Sequence, residues 1–277
     1  MLGRTDSGKT TWVRATAEIL ASQASLAVVD TDIGQASLGP PGCLSATLAR
    51  GGSWSPHPIM PDAMVFIGSV SPMGHALQLV SASHRLVQWA QRQGAEIVLV
   101  DTTGLVSSGF GFQVKLRKAE LLQPRHVVIL EHKDELQALQ TILSCRSDVT
   151  VHRLPISSAI SPWTNDQRTA YRVSRFAPYF QNARRYRVEL GEVLVLAPVV
   201  RVRDTPILGD VVDAATFRGL DLRGLLVGLN DRNDGTLALG LLEAVCLDGK
   251  AVEVWTPLAD RHRLHVIQLG TLFLREH

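Results

Sequence analysis

The stretch Gly3-Arg4-Thr5-Asp6-Ser7-Gly8-Lys9-Thr10 constrains what this chain can fold into more than any other feature. Its glycines let successive backbone N–H groups wrap an anion, and the helix that must follow points its positive end at the same place. Such a loop leaves a buried strand and enters a helix. Lys9 is then placed to reach the β- and γ-phosphates of a nucleoside triphosphate, and the Thr10 hydroxyl suits Mg²⁺. A chance match at every fixed position is expected in roughly one chain in a hundred. The helical stretch over residues 11–22, with Trp12, Ala15, Ile19 and Leu20 on one side, makes chance less credible still. Gly3, Thr5, Asp6, Ser7, Gly8, Lys9, Thr10 and Thr11 are therefore the expected nucleotide contacts. Only Met1 and Leu2 precede Gly3. They are too few to form a ladder with residues 26–29 or 97–100, so the strand leading into the loop is expected to be missing.

The pattern downstream alternates. Residues 26–29, 64–67, 97–100 and 127–130 read as short buried strands, and residues 75–92, 114–122 and 135–143 as helices. Alternation of this kind predicts an α/β fold, a P-loop NTPase parallel sheet with helices on both faces, with phosphates at the carboxyl ends of its strands. Breaks fall at Gly39-Pro40-Pro41-Gly42 and over residues 56–61. After about residue 187 the texture becomes β-prone, over residues 193–202, 225–229, 236–245 and 251–256. Turn signals separate these runs at Asn233-Asp234-Gly235 and Asp248-Gly249. The expected division is a P-loop unit over residues 1–187, with a lid around 163–187, and a small C-terminal mostly-β domain over 188–277.

Composition excludes some classes. Among 277 residues, 45% are hydrophobic, and no apolar run approaches the roughly 18 residues of a membrane span. Three scattered cysteines have no metal-ligand spacing and fit a reducing compartment, so a cytoplasmic protein is expected. Net charge is only +2, yet just five of the 28 basic residues are lysine. Arginine's planar fork suits phosphate, although a GC-rich genome gives the same bias. Six arginines and no acidic residue occupy residues 168–187.

Three further motifs carry chemistry. Asp30-Thr31-Asp32-Ile33-Gly34-Gln35 ends the second strand with two carboxylates on one face. One can serve the metal shell while the other takes a proton from an attacking hydroxyl. Asp101-Thr102-Thr103-Gly104 follows the third strand and looks like the magnesium-side Asp-x-x-Gly of many P-loop proteins. A GTPase would add an Asn-Lys-x-Asp base reader after the next strand. Here that position reads Glu131-His132-Lys133-Asp134, without the asparagine and with the wrong spacing. Arg168 and Arg172 share a helix face, with Arg175 three residues on. Arginines over a phosphate loop can neutralise charge on a transferred phosphoryl group, although an ordinary solvated basic helix has the same spacing.

Together these residues resemble the polynucleotide 5′-hydroxyl kinase family, which includes the kinase of the pre-mRNA cleavage machinery, kinases of ribosomal-RNA spacer processing and archaeal relatives. The family's Gly-x-x-Asp-Ser-Gly-Lys-Thr-Thr loop stands here as Gly3 to Thr11. Its Asp-x-Asp-x-Gly-Gln and Pro-Pro-Gly turn match Asp30 to Gln35 and Pro40 to Gly42. A Gly-x-x-Ser-Pro segment matches Gly68 to Pro72, a Thr-x-Gly-Trp clasp matches Thr102 to Gly104, and an Arg-x-x-x-Arg lid matches Arg168 to Arg172. Short apolar motifs in the C-terminal stretch extend the likeness over nearly the whole chain. The resemblance implies transfer of the γ-phosphate of ATP to the 5′-hydroxyl of an RNA or DNA end, with Mg²⁺. It implies catalytic roles for Lys9, Asp32, Arg168 and Arg172, and metal roles for Thr10 and Asp30. Gln35, Thr102, Gly104, Leu105 and Arg175 would face the acceptor. Leu105 stands where the family has a base-stacking tryptophan, and it lacks the π-face that gives stacking its strength. The resemblance names no protein partner. Two other classes stay open on residues alone: a GTPase or ATPase switch without a nucleic-acid acceptor, and an ATP-holding RNA-processing scaffold.

Overall fold

The computed structural model describes residues 1–54, 60–106, 108–197, 200–202, 205–207, 221–233, 235–246 and 250–274. The expected loop over 56–61 and the turns at Asn233-Asp234-Gly235 and Asp248-Gly249 lie wholly or partly outside them. So does part of the β-prone run over 193–202.

Strand β1 (Leu2–Gly3) leads through the glycine-rich loop into α1 (Lys9–Leu20). There follow β2 (Leu26–Thr31), β3 (Cys43–Leu48), β4 (Ala63–Phe66), α2 (Ala76–Arg92), β5 (Ile97–Thr102) and α3 (Gly109–Leu122). The series continues with β6 (His126–Glu131), α4 (Gln137–Ser144), β7 (Thr150–Pro155) and α5 (Asn165–Phe180).

All six residues of β2 are buried, as a strand covered on both faces requires. Its alternate side chains point to opposite faces. Leu26 and Val28 meet Val13 and Ala17 of α1. Val29 meets Leu79, Ala82 and Leu86 of α2. That alternation puts one helix on each side of the sheet. β2 runs parallel to β5, which brings Asp30 level with Asp101 and Thr31 level with Thr102. On its other edge it pairs antiparallel with β3, and β3 with β4. Among the described residues, neither the β2–β3 nor the β3–β4 connection holds a helix. Parallel pairing needs a crossover of about a dozen residues or more, commonly helical, so the chain doubles back instead.

The strand leading into the loop is present, contrary to the expectation from sequence. Leu2 and Gly3 pair in parallel with Ile129 and Leu130 of β6. The Met1 ammonium donates to the Val100 carbonyl at 2.9 Å, and the Thr102 hydroxyl donates to the Met1 carbonyl at 2.7 Å. These few residues bridge β5 to β6 and link the set β4-β3-β2-β5 to β1-β6-β7. Two residues suffice because their ladder partner is β6, with Met1 hydrogen-bonded to β5 on the other side.

The remaining strands are β8 (Arg184–Glu189), β9 (Leu194–Leu196), β10 (Val200–Val202), β11 (Thr205–Ile207), β12 (Leu225–Asn230), β13 (Thr236–Val245), β14 (Ala251–Thr256) and β15 (Val266–Phe273). Six of them form a mostly antiparallel sheet in the order β8-β14-β13-β12-β15-β9. Its core holds Leu225, Val227, Leu229, Leu242, Val252, Val254 and Ile267. This sheet also anchors α5. Phe176 and Tyr179 pack with Phe66, Leu226 and Leu239, and the Tyr179 hydroxyl accepts from the Leu239 amide at 2.9 Å. The two sheets touch closely at Gly68 (φ 79°), where an added Cβ would lie 2.6 Å from the Gly270 Cα.

Candidate active site

The loop closes over residues in left-handed backbone, Asp6 at φ 55° and Gly8 at φ 87°. Gly8 caps α1 without a side chain, so the first-turn N–H groups keep their donors for an anion. Lys9 is only 7% exposed. Its ammonium folds back over the loop, donating to the Arg4 carbonyl at 2.6 Å and to Ser7 Oγ at 3.5 Å. Burial lowers its pKa, while Asp101, Asp32 and Asp6 hold it up. Thr5 lies against Gly104, where an added Cβ would fall 2.4 Å from the Thr5 nitrogen. Gly104 therefore supports the phosphate loop from below. Thr11 is exposed on the first turn of α1.

The carboxylates divide differently from the sequence expectation. Thr10 Oγ1 donates to Asp101 Oδ2 at 2.5 Å, so Asp101, and not Asp30, partners the threonine. Asp30 is buried and occupied by its own loop. Its Oδ1 accepts from the Asp32 amide at 2.8 Å, and its Oδ2 accepts from the Ser37 amide, the Ser37 hydroxyl and the Leu38 amide. Burial, with Asp101 and Asp32 adding, pushes Asp30 up to about 7, against the pull of its Asp32 and Ser37 donors. Asp32 is half-buried, and its Oδ1 accepts from the Gly34 and Gln35 amides at 2.9 and 3.0 Å. Gln35 Nε2 is buried without a hydrogen-bond partner.

Two functional candidates escaped the sequence reading. Lys115 and Lys118, one turn apart on α3, are 3% and 5% exposed. Lys115 donates to the Thr103 carbonyl at 2.7 Å and to Thr102 Oγ1 at 3.3 Å. Burial, then Lys118 and Lys9, pushes it down to about 7. Burial pushes Lys118 down to about 8, while Asp32, Asp30 and Asp101 oppose the shift. Lys9, Lys115 and Lys118 thus offset three converging carboxylates. One signal could have exposed the pair: two of only five lysines in an arginine-rich chain sit just after Asp101. Thr102 belongs to this buried network, and half-buried Leu105 packs its carbonyl against Gly111 at the start of α3.

Helix α5 begins with a capping box at Thr164 and Gln167. Arg168 reaches across to the Asp6 carboxylate of the phosphate loop. Tyr171 donates to the Ala36 carbonyl at 3.0 Å, and Arg175 to the Gly39 carbonyl at 3.0 Å. α5 is thereby fixed over both the phosphate loop and the loop after Asp32. Arg172 donates to Thr169 within its own helix and does not reach either loop.

The model of the family described as mRNA cleavage and polyadenylation factor CLP1 P-loop matches residues 3–182. The polyribonucleotide 5′-hydroxyl-kinase of Methanocaldococcus jannaschii is 25% identical over 319 residues, spanning 100% of this chain and 87% of that protein. The polyribonucleotide 5′-hydroxyl-kinase of Pyrococcus furiosus is 27% identical over 314 residues, with 100% and 87% covered. Among solved structures, the wild-type Clp1p–Pcf11p complex superposes with a TM-score of 0.72 at 14% identity, over 100% of this chain and 74% of that one. This last likeness concerns the fold alone. The chain, with its glycine-rich loop, paired Thr10 and Asp101 and overlying α5, belongs to the CLP1 P-loop family.

Proposed function

We propose that this protein transfers the γ-phosphate of ATP to the 5′-hydroxyl end of RNA, with DNA ends as a second acceptor class. The observation that carries the reading is the placement of Arg168 against Asp6, across the phosphate loop from the Thr10–Asp101 pair. Groups of both signs thus surround the point where a phosphoryl group would pass. The relatives' names, borne over the full length of the chain, support the same reaction.

The oxygen donors Thr10 Oγ1 and Asp101 Oδ2 are hard ligands of the kind Mg²⁺ takes. Bound there, the ion would neutralise charge between the β- and γ-phosphates. Lys9 leaves the Arg4 carbonyl to meet the phosphates, and the amides of the loop hold them in place. Asp32, braced by two amides on Oδ1, keeps Oδ2 to orient the acceptor hydroxyl and take its proton. Arg168 supplies a forked cation to the transition state, and Arg172 joins it from the next turn. Asp30 shapes the segment that carries Gln35. Lys115 and Lys118 set amines against the carboxylate cluster, whose charge opposes the lowering of the Lys118 pKa. α5 closes the kinase unit, and the C-terminal β unit holds it in position.

A GTPase reading is not favoured. Glu131 and Asp134, where a base reader would stand, are both ion-paired with Arg153, at 2.7 and 2.8 Å. Among the described residues no helix is long and apolar enough to cross a membrane. The test is transfer of labelled γ-phosphate to matched RNA and DNA oligonucleotides with 5′-hydroxyl ends. ATP turnover that needs no oligonucleotide and labels none would point to a switch instead.

A further inference from the structure

Among the described residues, Trp163 is the one strongly exposed aromatic side chain, 43% accessible, and every other phenylalanine, tyrosine or tryptophan is buried or half-buried. A single exposed apolar side chain is ordinary on a protein surface. This one is held in place at the rim of the phosphate loop. Its amide donates to Asp6 Oδ2 at 3.1 Å, and its carbonyl accepts from Arg168 at 3.1 Å. Its ring meets Tyr171 edge-on, with centroids 5.2 Å apart and planes at 70°. A T-shaped contact engages at most one face of the indole, so at least one flat face stays clear of Tyr171. Just before it in the chain, Ile160 reaches within 2.7 Å of where a Cβ on Gly8 would be.

We propose that Trp163 is a nucleobase platform, whose indole face stacks on a base carried next to the reacting phosphate. The inference rests on the reading of this site as a nucleotide-dependent kinase. Two ligands offer that chemistry, the adenine of ATP and the terminal base of the acceptor strand. In each, the base hangs by a ribose from a phosphate or hydroxyl held at the loop, so it falls at the rim and not on the floor. The floor is lined by Lys9, Asp101 and Lys115, and none of them offers a ring. Base–aromatic stacking tolerates any base and contributes substantially to affinity. Trp163 joins this site through the same Asp6 carboxylate that receives Arg168, so one carboxylate positions both the platform and the arginine.

The test uses the full chain with Trp163→Ala and Trp163→Phe. Dissociation constants are measured for ATP, for inorganic tripolyphosphate, and for two 5′-hydroxyl oligonucleotides, one normal and one abasic at its first nucleotide. Trp163→Ala is expected to weaken one base-bearing ligand about tenfold while leaving its base-free counterpart unchanged, and Trp163→Phe to restore most of the loss. A loss confined to ATP assigns the platform to adenine, and one confined to the oligonucleotide assigns it to the acceptor. Equal losses for base-free ligands, or no loss at all, would overturn the proposal. These are binding measurements, so failure of the wild-type protein to phosphorylate any oligonucleotide sinks the kinase reading without deciding the role of Trp163.

Discussion

Thr10 Oγ1 and Asp101 Oδ2 lie 2.5 Å apart although 91 positions separate them in the chain. β5 runs beside the short strand entering the phosphate loop, so its terminal carboxylate arrives next to the threonine that opens α1. Asp30 is level with Asp101 one strand over, and its oxygens serve Asp32, Ser37 and Leu38. Asp101→Asn should therefore reduce turnover by roughly 10²-fold or more and shift the magnesium requirement upward. Asp30→Asn should act mainly on stability. Steady-state kinetics across a magnesium titration separate the two. A larger magnesium shift for Asp30→Asn would return the metal role to Asp30.

Arg168 meets Asp6 and donates to the Trp163 carbonyl through the same Nη2, which leaves the rest of its fork for a phosphoryl group. Arg168→Lys keeps the charge and loses that geometry. Turnover should fall at least about tenfold, with ATP affinity changed less. Arg172 reaches only Thr169, and its lysine variant should lose less. Stopped-time assays at saturating ATP give the comparison, and equal wild-type rates for both variants would reduce α5 to a surface helix.

Gly104 has no room for a side chain, because its Cβ would meet the Thr5 nitrogen, Cα and hydroxyl within 2.4 Å. Gly104→Ala must push the phosphate loop. Overpacking of this kind costs about 1–3 kcal/mol, and the loss should appear in ATP affinity measured by calorimetry. Unchanged affinity would mean that the loop moves freely.

The glycine-rich loop, the central strands and helix α5 were legible in the sequence because each carries a strong local signal. The choice between Asp30 and Asp101 was not. Both end buried strands in the same register, and only the position of Met1 to Gly3 between β5 and β6 decides which faces Thr10. β8 sits at the sheet edge and alternates Tyr186 and Val188 with Arg185, Arg187 and Glu189, a short period that its arginines mask. Lys115 and Lys118 were hidden for a different reason. A buried amine is recognisable only by the carboxylates around it, and those come from β2 and β5.

Lys115 gives a pH test. Its folded-state pKa is depressed from 10.5 to about 7, so its stabilising contribution is present above the unfolded value and is lost as pH falls through 7. The stability of wild type relative to Lys115→Met should rise between pH 7 and pH 10, by up to about 1.4 kcal/mol per pH unit. Urea unfolding at several pH values reads this slope. A flat difference would show that Lys115 stays protonated in the folded protein.

The most direct measurement is transfer of labelled γ-phosphate from ATP to a 5′-hydroxyl RNA oligonucleotide, by wild type and by Lys9→Ala. Lys9 is the cation buried in the loop, and its charge on the transferring group cannot be replaced by solvent. The expected result is labelled RNA with wild type and none above background with Lys9→Ala. Near-normal labelling by Lys9→Ala, or wild-type ATP turnover that leaves the RNA unlabelled, would contradict the assignment.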